Sequence, residues 1–167
     1  VTGVNELTFD AEGIAKGITK WAAIESPSTD SMRVNRMMDE AVQAMAMLDA
    51  EVTRIPGRDG FGDAVLGRVG AGHAEDAPGI LVLGHLDTVH LVGTLEGELP
   101  VSRSGDQLFG PGVLDMKGGM YLAYHAIEKL LAQRGRLTMP ITFLFIPDEE
   151  VGSPSTRDLI ESTARAN

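Results

Sequence analysis

The chain has 167 residues, 43% of them hydrophobic and 23% charged, which suits one soluble globular domain with a sizeable core and falls short of two. Fourteen Lys and Arg against 24 Asp and Glu leave a net charge of −10, a poor match for a nucleic-acid partner. Cysteine is absent, which excludes disulfides, thiolate metal sites and a Cys nucleophile. No apolar run approaches the roughly 20 residues that span a bilayer, and no signal-peptide pattern opens the chain. A cytoplasmic protein with no membrane partner is therefore expected. The start at Val1 rather than Met points to a trimmed N-terminus.

In chain order, Asp10 is a good N-cap for a first helix, with Phe9 stapled to Ile14 and with Ile14, Ile18 and Trp21 on one face. Ser26-Pro27-Ser28 breaks it. A second helix starts near Asp30 or Ser31, and Val34, Met38, Val42, Met45 and Leu48 form its apolar stripe. Those methionines read as core filling rather than as a cofactor or partner groove. Glu51 to Ile55 and Ala64 to Val69 read as short strands, and residues 71–79 as a polar loop. Ile80 to Leu83 is wholly apolar and suits a strand buried on both faces. Residues 93–105 are turn-rich, with room for a hairpin. A third helix is expected from Met116 to Ala132, with Met120, Ala123, Ile127, Leu130 and Leu131 inward. Ile141 to Ile146 is a second buried strand, closed by Pro147. Ser153-Pro154 reads as N-cap and first residue of a last helix reaching Thr163. Strands alternating with helices predict an α/β fold of three layers, a largely parallel central sheet with helices on both faces.

Three clusters carry candidate chemistry. In Gly84-His85-Leu86-Asp87-Thr88, residues i and i+2 of an extended chain project to one side. Asp87 can then fix the tautomer of His85 and raise its basicity as a metal ligand. Alone, the pair reads rather as polar residues in a loop after a strand. In Gly110-Pro111-Gly112-Val113-Leu114-Asp115-Met116-Lys117-Gly118-Gly119, Lys117 is not followed by Ser or Thr, so the glycines do not make a phosphate loop. A tight turn that aims Asp115 fits better, with Asp115 also able to cap the third helix. In Asp148-Glu149-Glu150, three adjacent acids repel one another unless a positive charge sits there; the plain alternative is a solvated acidic loop. Together the clusters place His85, Asp115 and Glu150 at strand ends and a helix start, where open α/β sheets bind ligands. Imidazole with carboxylates suits a catalytic zinc or similar ion. An additional free acid, Glu149, suits metal-assisted hydrolysis, in which a carboxylate takes a proton from water.

Gly-His-Leu-Asp-Thr-Val at 84–89, the run at 110–119 and Asp-Glu-Glu-Val-Gly-Ser at 148–153 resemble, in order and spacing, the co-catalytic zinc exopeptidase and deacylase family. That family includes glutamate carboxypeptidase, acetylornithine deacetylase, succinyl-diaminopimelate desuccinylase, aminoacylase and peptidase T. The likeness is greatest to the glutamate carboxypeptidase branch. The resemblance implies two zinc ions, with Co2+ or Mn2+ as alternatives. It implies His85 and Glu150 as ligands of one ion each and Asp115 as the bridge between them, followed by a peptide bond that is often cis. Asp87 would serve the catalytic site by holding His85, and Glu149 would be the general base. The reaction implied is hydrolysis of an amide beside a carboxylate-bearing residue, on a small peptide or an N-acyl amino acid.

The family pattern continues beyond Glu150 with another acidic ligand, a lid domain used for dimerisation and a final His ligand. The resemblance thus makes residues 1–167 the N-terminal portion of a catalytic domain. It implies partial or no metal occupancy and no activity for this stretch alone, an uncovered sheet edge, and a homodimer through the lid in the complete protein. Two alternatives stand beside it: an N-acyl amino acid deacylase of the acetylornithine or succinyl-diaminopimelate type, and a non-catalytic metal-binding module. His73, His90 and His125 are expected to play no part as ligands, and Ser153 sits in no nucleophile turn.

Overall fold

A computed structural model describes residues 8–70 and 78–167; the polar loop expected at 71–79, with His73, lies largely outside them. Helix α1 (Ala11–Ala22) starts where Asp10 accepts a hydrogen bond from the Glu12 amide, and α2 (Ser31–Met47) where Asp30 accepts one from Arg33. These caps satisfy amide groups that a helix start leaves unpaired. Strands β1 (Glu51–Ile55), β2 (Ala64–Val69) and β3 (Ile80–His85) follow. A small hairpin joins β4 (Ser102–Ser104) to β5 (Gln107–Phe109). Helix α3 (Lys117–Arg134), β6 (Ile141–Ile146) and α4 (Arg157–Ala166) complete the order.

The main sheet runs β1-β2-β6-β3. Strand β6 is its centre, and all six of its residues are buried. In register with it, Val65, Gly67 and Val69 of β2 lie beside Phe145, Phe143 and Ile141. This face meets α2 and α3: Met37, Met38, Met45, Val65, Phe143, Phe145 and Met120 form one core. Met37, Met38 and Met45 are fully buried, so the stripe on α2 does fill the core, while Met32 and Met47 stay in solvent. On the opposite face the end of α4 is tied to β6 by the Thr142 hydroxyl, which donates to Asn167 Oδ1 at 2.6 Å. The three-layer α/β class is therefore as expected.

Strand direction is not. Only β3–β6 is parallel, whereas β1–β2 and β2–β6 are antiparallel. The apolar runs show burial, but burial is the same for either direction, and the short β1–β2 connection permits a hairpin rather than a helical crossover. Strand β3 is also not buried on both faces. It is the last strand among the described residues, and Ile80 and Leu83 are 48% and 40% exposed. Helix α4 begins later than Ser153-Pro154 implies, because the Asp148 carboxylate gathers the Ser155 amide and the Thr156 hydroxyl into a turn first. Phe9 is half exposed, with its ring against His125.

Helix α1 crosses α3 closely at Gly17, where a Cβ would overlap the Tyr121 ring. That ring is held edge-on by Trp21 at 5.3 Å and tilted against Tyr124 at 5.5 Å. Gly17→Ala should therefore cost about 1–3 kcal/mol through overpacking, despite the better helix propensity of alanine. Urea denaturation checks it; a stabilised variant would show that the ring moves freely.

Candidate metal centre

Two neighbouring strand ends and one turn build the site. Strand β3 ends on His85, and the parallel strand β6 ends just before Pro147-Asp148. The Leu86 amide donates to the Ile146 carbonyl at 3.1 Å, so the two chain segments leave the sheet side by side. The turn at 110–116 brings in Asp115. Gly112 has φ +73°, and a side chain there would run into the Lys117 stem, so glycine serves both the conformation and the close approach. The Asp115–Met116 peptide is cis. Met116, not Asp115, occupies the N-cap position of α3, without a side-chain bond; the Asp115 carboxylate instead faces His85.

One ligand atom each from His85, Asp115 and Glu150 lies within 4.8 Å of the others. The ring of His85 is buried. Its Nε2 lies 3.0 Å from Asp115 Oδ1 and 3.6 Å from Glu149 Oε2. Its Nδ1 lies 3.1 Å from the Asp87 carbonyl oxygen and 3.3 Å from Asp87 Oδ1. The two nitrogens thus face different tasks: Nδ1 is engaged from behind, and Nε2 points at the acids. All five candidate residues meet in one place. Their burial grades from Asp87, fully buried, to the Asp115 side chain, 71% exposed.

The electrostatics favour a cation. Burial alone would lower the His85 pKa, but hydrogen bonding and charge from Asp87, with a further bond to Asp115, carry it up to about 9. Burial raises Glu150, reinforced by the charges of Asp115, Asp87 and Glu149 and opposed by His85. One imidazole and a group of crowded carboxylates, with no thiolate, match the donor set of zinc, cobalt or manganese. Because the folded-state pKa of His85 lies above 6.5, its contribution to stability is fully present below about pH 6.5 and is lost as the pH rises through about 9. A metal held by His85 Nε2 would have to displace that proton. Adding Zn2+ to metal-free protein at pH 7.5 should release a proton from His85, measurable by calorimetry in buffers of different ionisation enthalpy. Binding with no proton release would overturn this account of His85.

Several residues at the site carried no signal of this role in the sequence. Asp148 points away from the cluster and is fully buried, bound to Ser155 and Thr156. Lys117 is fully buried, and its Nζ donates to the Ile24 carbonyl at 2.5 Å. Burial brings it down to about 7, against the opposing charges of Asp87 and Glu25. Ser28, present in the sequence as part of a helix breaker, donates to Asp87 Oδ2 at 2.6 Å. Of the remaining histidines, His125 stacks on Tyr121 and pairs with Glu128 at 3.0 Å, a packing role. His90 stays outside the ligand cluster.

Comparison with known proteins decides the family. The model of peptidase family M20/M25/M40 matches residues 81–167, a span that holds all three clusters. The chain belongs to this family. Among curated M20 relatives, carboxypeptidase G2 from a Pseudomonas species is 41% identical over 104 residues, covering 62% of this chain and 24% of that protein. A putative succinyl-diaminopimelate desuccinylase DapE from Mycobacterium tuberculosis is 35% identical over 134 residues, covering 79% of this chain and 33% of that protein. The chain thus spans about a quarter to a third of the length of these relatives. Two solved structures share its fold. Human carnosine dipeptidase 1 has a TM-score of 0.77 at 21% identity, over 91% of this chain and 35% of the other. The M20 family metallo-carboxypeptidase Sso-CP2 from Sulfolobus solfataricus has 0.73 at 17%, over 91% and 34%.

Proposed function

We propose that the complete protein is a metal-dependent exopeptidase that hydrolyses an amide bond beside a carboxylate-bearing amino acid, as a glutamate carboxypeptidase does. The observation that carries this reading is the meeting of His85, Asp115 and Glu150 with a further acid, Glu149, 3.6 Å from His85 Nε2. A merely structural site has no use for that extra carboxylate. Two zinc ions would be held, with His85 Nε2 and Glu150 serving one each and Asp115 serving both. Bound there, divalent ions supply positive charge that acidifies water and polarises a carbonyl. Glu149 accepts the proton from water and returns it to the leaving amine. Asp87 holds His85 in the tautomer that leaves Nε2 free.

Residues 1–167 would be the front part of the catalytic domain, with the remaining ligands and the dimerising lid in the rest of the protein. By itself this stretch is expected to be inactive. The identity to a putative desuccinylase over 134 residues supports a second reading, N-acyl amino acid deacylation.

The test uses the complete protein, loaded with Zn2+, against peptides and N-acyl amino acids ending in glutamate, and against N-acetylornithine and N-succinyl-diaminopimelate. Hydrolysis of the glutamate compounds that a chelator abolishes is expected. Turnover of the latter pair alone would move the assignment to the deacylase. Metal binding with no turnover of any of them would leave a binding module.

A further inference from the structure

We propose that Ser28, outside the span matched to the family, is a positioning residue of the metal centre. It would set the Asp87 carboxylate, and through it both His85 and the Glu149-Glu150 backbone. This rests on the reading of His85, Asp115 and Glu150 as ligands.

Asp87 is a hub. Its Oδ1 faces His85 Nδ1 at 3.3 Å and accepts the Glu149 amide at 3.2 Å. Its Oδ2 accepts the Glu150 amide at 3.2 Å and the Ser28 hydroxyl at 2.6 Å. One carboxylate therefore sets the His85 ring and the backbone of both acids. The amide bonds are long, and the Ser28 bond is the short one. Without the hydroxyl, the carboxylate keeps only contacts of 3.2–3.3 Å and is freer to turn about its Cβ–Cγ axis. The hydroxyl removes that freedom and keeps Oδ1 facing His85 Nδ1.

Ser28 can do this because its own backbone is fixed. The segment 26–28 runs beside 86–88 as a short parallel bridge at Pro27 and Thr88. The Thr88 amide donates to Ser26 O at 2.9 Å, the Ser28 amide to Thr88 O at 3.3 Å, and the Ser26 hydroxyl to Leu86 O at 2.7 Å. Just before this segment, the Ile24 carbonyl accepts a hydrogen bond from the ammonium of Lys117, the residue two beyond Asp115. The Glu25 carboxylate accepts the Gly93 and Leu95 amides. Ser26, Pro27 and Ser28 are all buried. The loop after α1 is thus a brace beside the His85, Asp115 and Glu149-Glu150 segments, and among the described residues Ser28 is its direct hydrogen bond to the site's carboxylates.

The experiment titrates the complete, metal-free protein with Co2+, reading the visible spectrum, and with Zn2+ in competition with a chelator. Ser28→Ala should weaken metal binding up to about tenfold, the lower end of the range for a ligand's direct partner, because it acts through Asp87, and change the Co2+ spectrum. Ser28→Thr, which restores the hydroxyl, should return both towards wild type. Thr142→Val, which removes a buried hydroxyl that binds Asn167 at the end of β6 away from the site, should leave the spectrum alone. Wild-type affinity and spectrum in Ser28→Ala would overturn the proposal while leaving the metal centre intact, and so would an equal spectral change in Thr142→Val. If the wild-type protein binds neither ion, the metal-centre reading itself fails. Should Ser28→Ala not fold, Ser28→Cys takes its place, because a thiol is a poor donor: weakened Zn2+ binding, which an added thiolate ligand would not cause, is expected there, and wild-type affinity overturns the proposal.

Discussion

Glu149→Gln in the complete protein should lower kcat by about 10²–10⁴-fold, the usual contribution of a general base, with zinc content unchanged. Glutamine matches glutamate in shape but cannot take up a proton at neutral pH. The Glu149 side chain is half exposed, and its contact is with His85 Nε2 at 3.6 Å. Its backbone amide carries the structural bond to Asp87, and the substitution leaves that in place. The variant should therefore fold and load metal normally. Metal analysis beside steady-state kinetics checks both halves. Loss of zinc with unchanged turnover would mean that Glu149 is a ligand and that the base lies elsewhere.

Asp87→Asn should have the second largest effect, and on different quantities. The carboxylate is fully buried and receives donors on both oxygens: Glu149 on Oδ1, Glu150 and Ser28 on Oδ2. An amide has one acceptor oxygen, so in either orientation its NH2 faces a backbone N–H, that of Glu149 or that of Glu150. Losing a hydrogen bond to a buried charge costs about 1.5–3 kcal/mol. Metal affinity should fall about 10–100-fold, because the His85 ring loses the partner that fixes it. Thermal unfolding of the metal-free protein and Zn2+ titration separate the two effects. A variant as stable as wild type and equally tight for zinc would remove Asp87 from its place at the centre of the site. Glu149→Gln and Asp87→Asn thus differ in kind: one silences chemistry on an intact site, and the other loosens the site.

The site was legible in the sequence where its residues adjoin recognisable punctuation. His85 and Asp87 stand two apart after an apolar run, Asp115 follows a glycine turn, and Glu149 and Glu150 follow another apolar run and a proline. All five come together in the fold. Asp148 shows the limit of such reasoning. It is as acidic as its neighbours, yet it turns inward to cap Ser155 and Thr156. Three consecutive acids in a row do not reveal which way each one points.

Local pattern was sufficient for the elements themselves. The bounds of β1, β2 and β6, the caps Asp10 and Asp30, and the buried methionines of α2 follow from periodicity, capping chemistry and apolar runs. These depend on interactions within a few residues, which composition and spacing encode directly. Strand order and direction, the exposed edge of β3, and the burial of Lys117 and Ser28 were decided only in three dimensions. Each depends on a partner far along the chain: Val65 beside Phe145, Lys117 on Ile24, Ser28 on Asp87. A serine in a helix-breaking Ser-Pro-Ser looks the same whether its hydroxyl meets water or a buried carboxylate. What sets its role is the tertiary approach of a segment some 59 residues away, and no local pattern carries that distance.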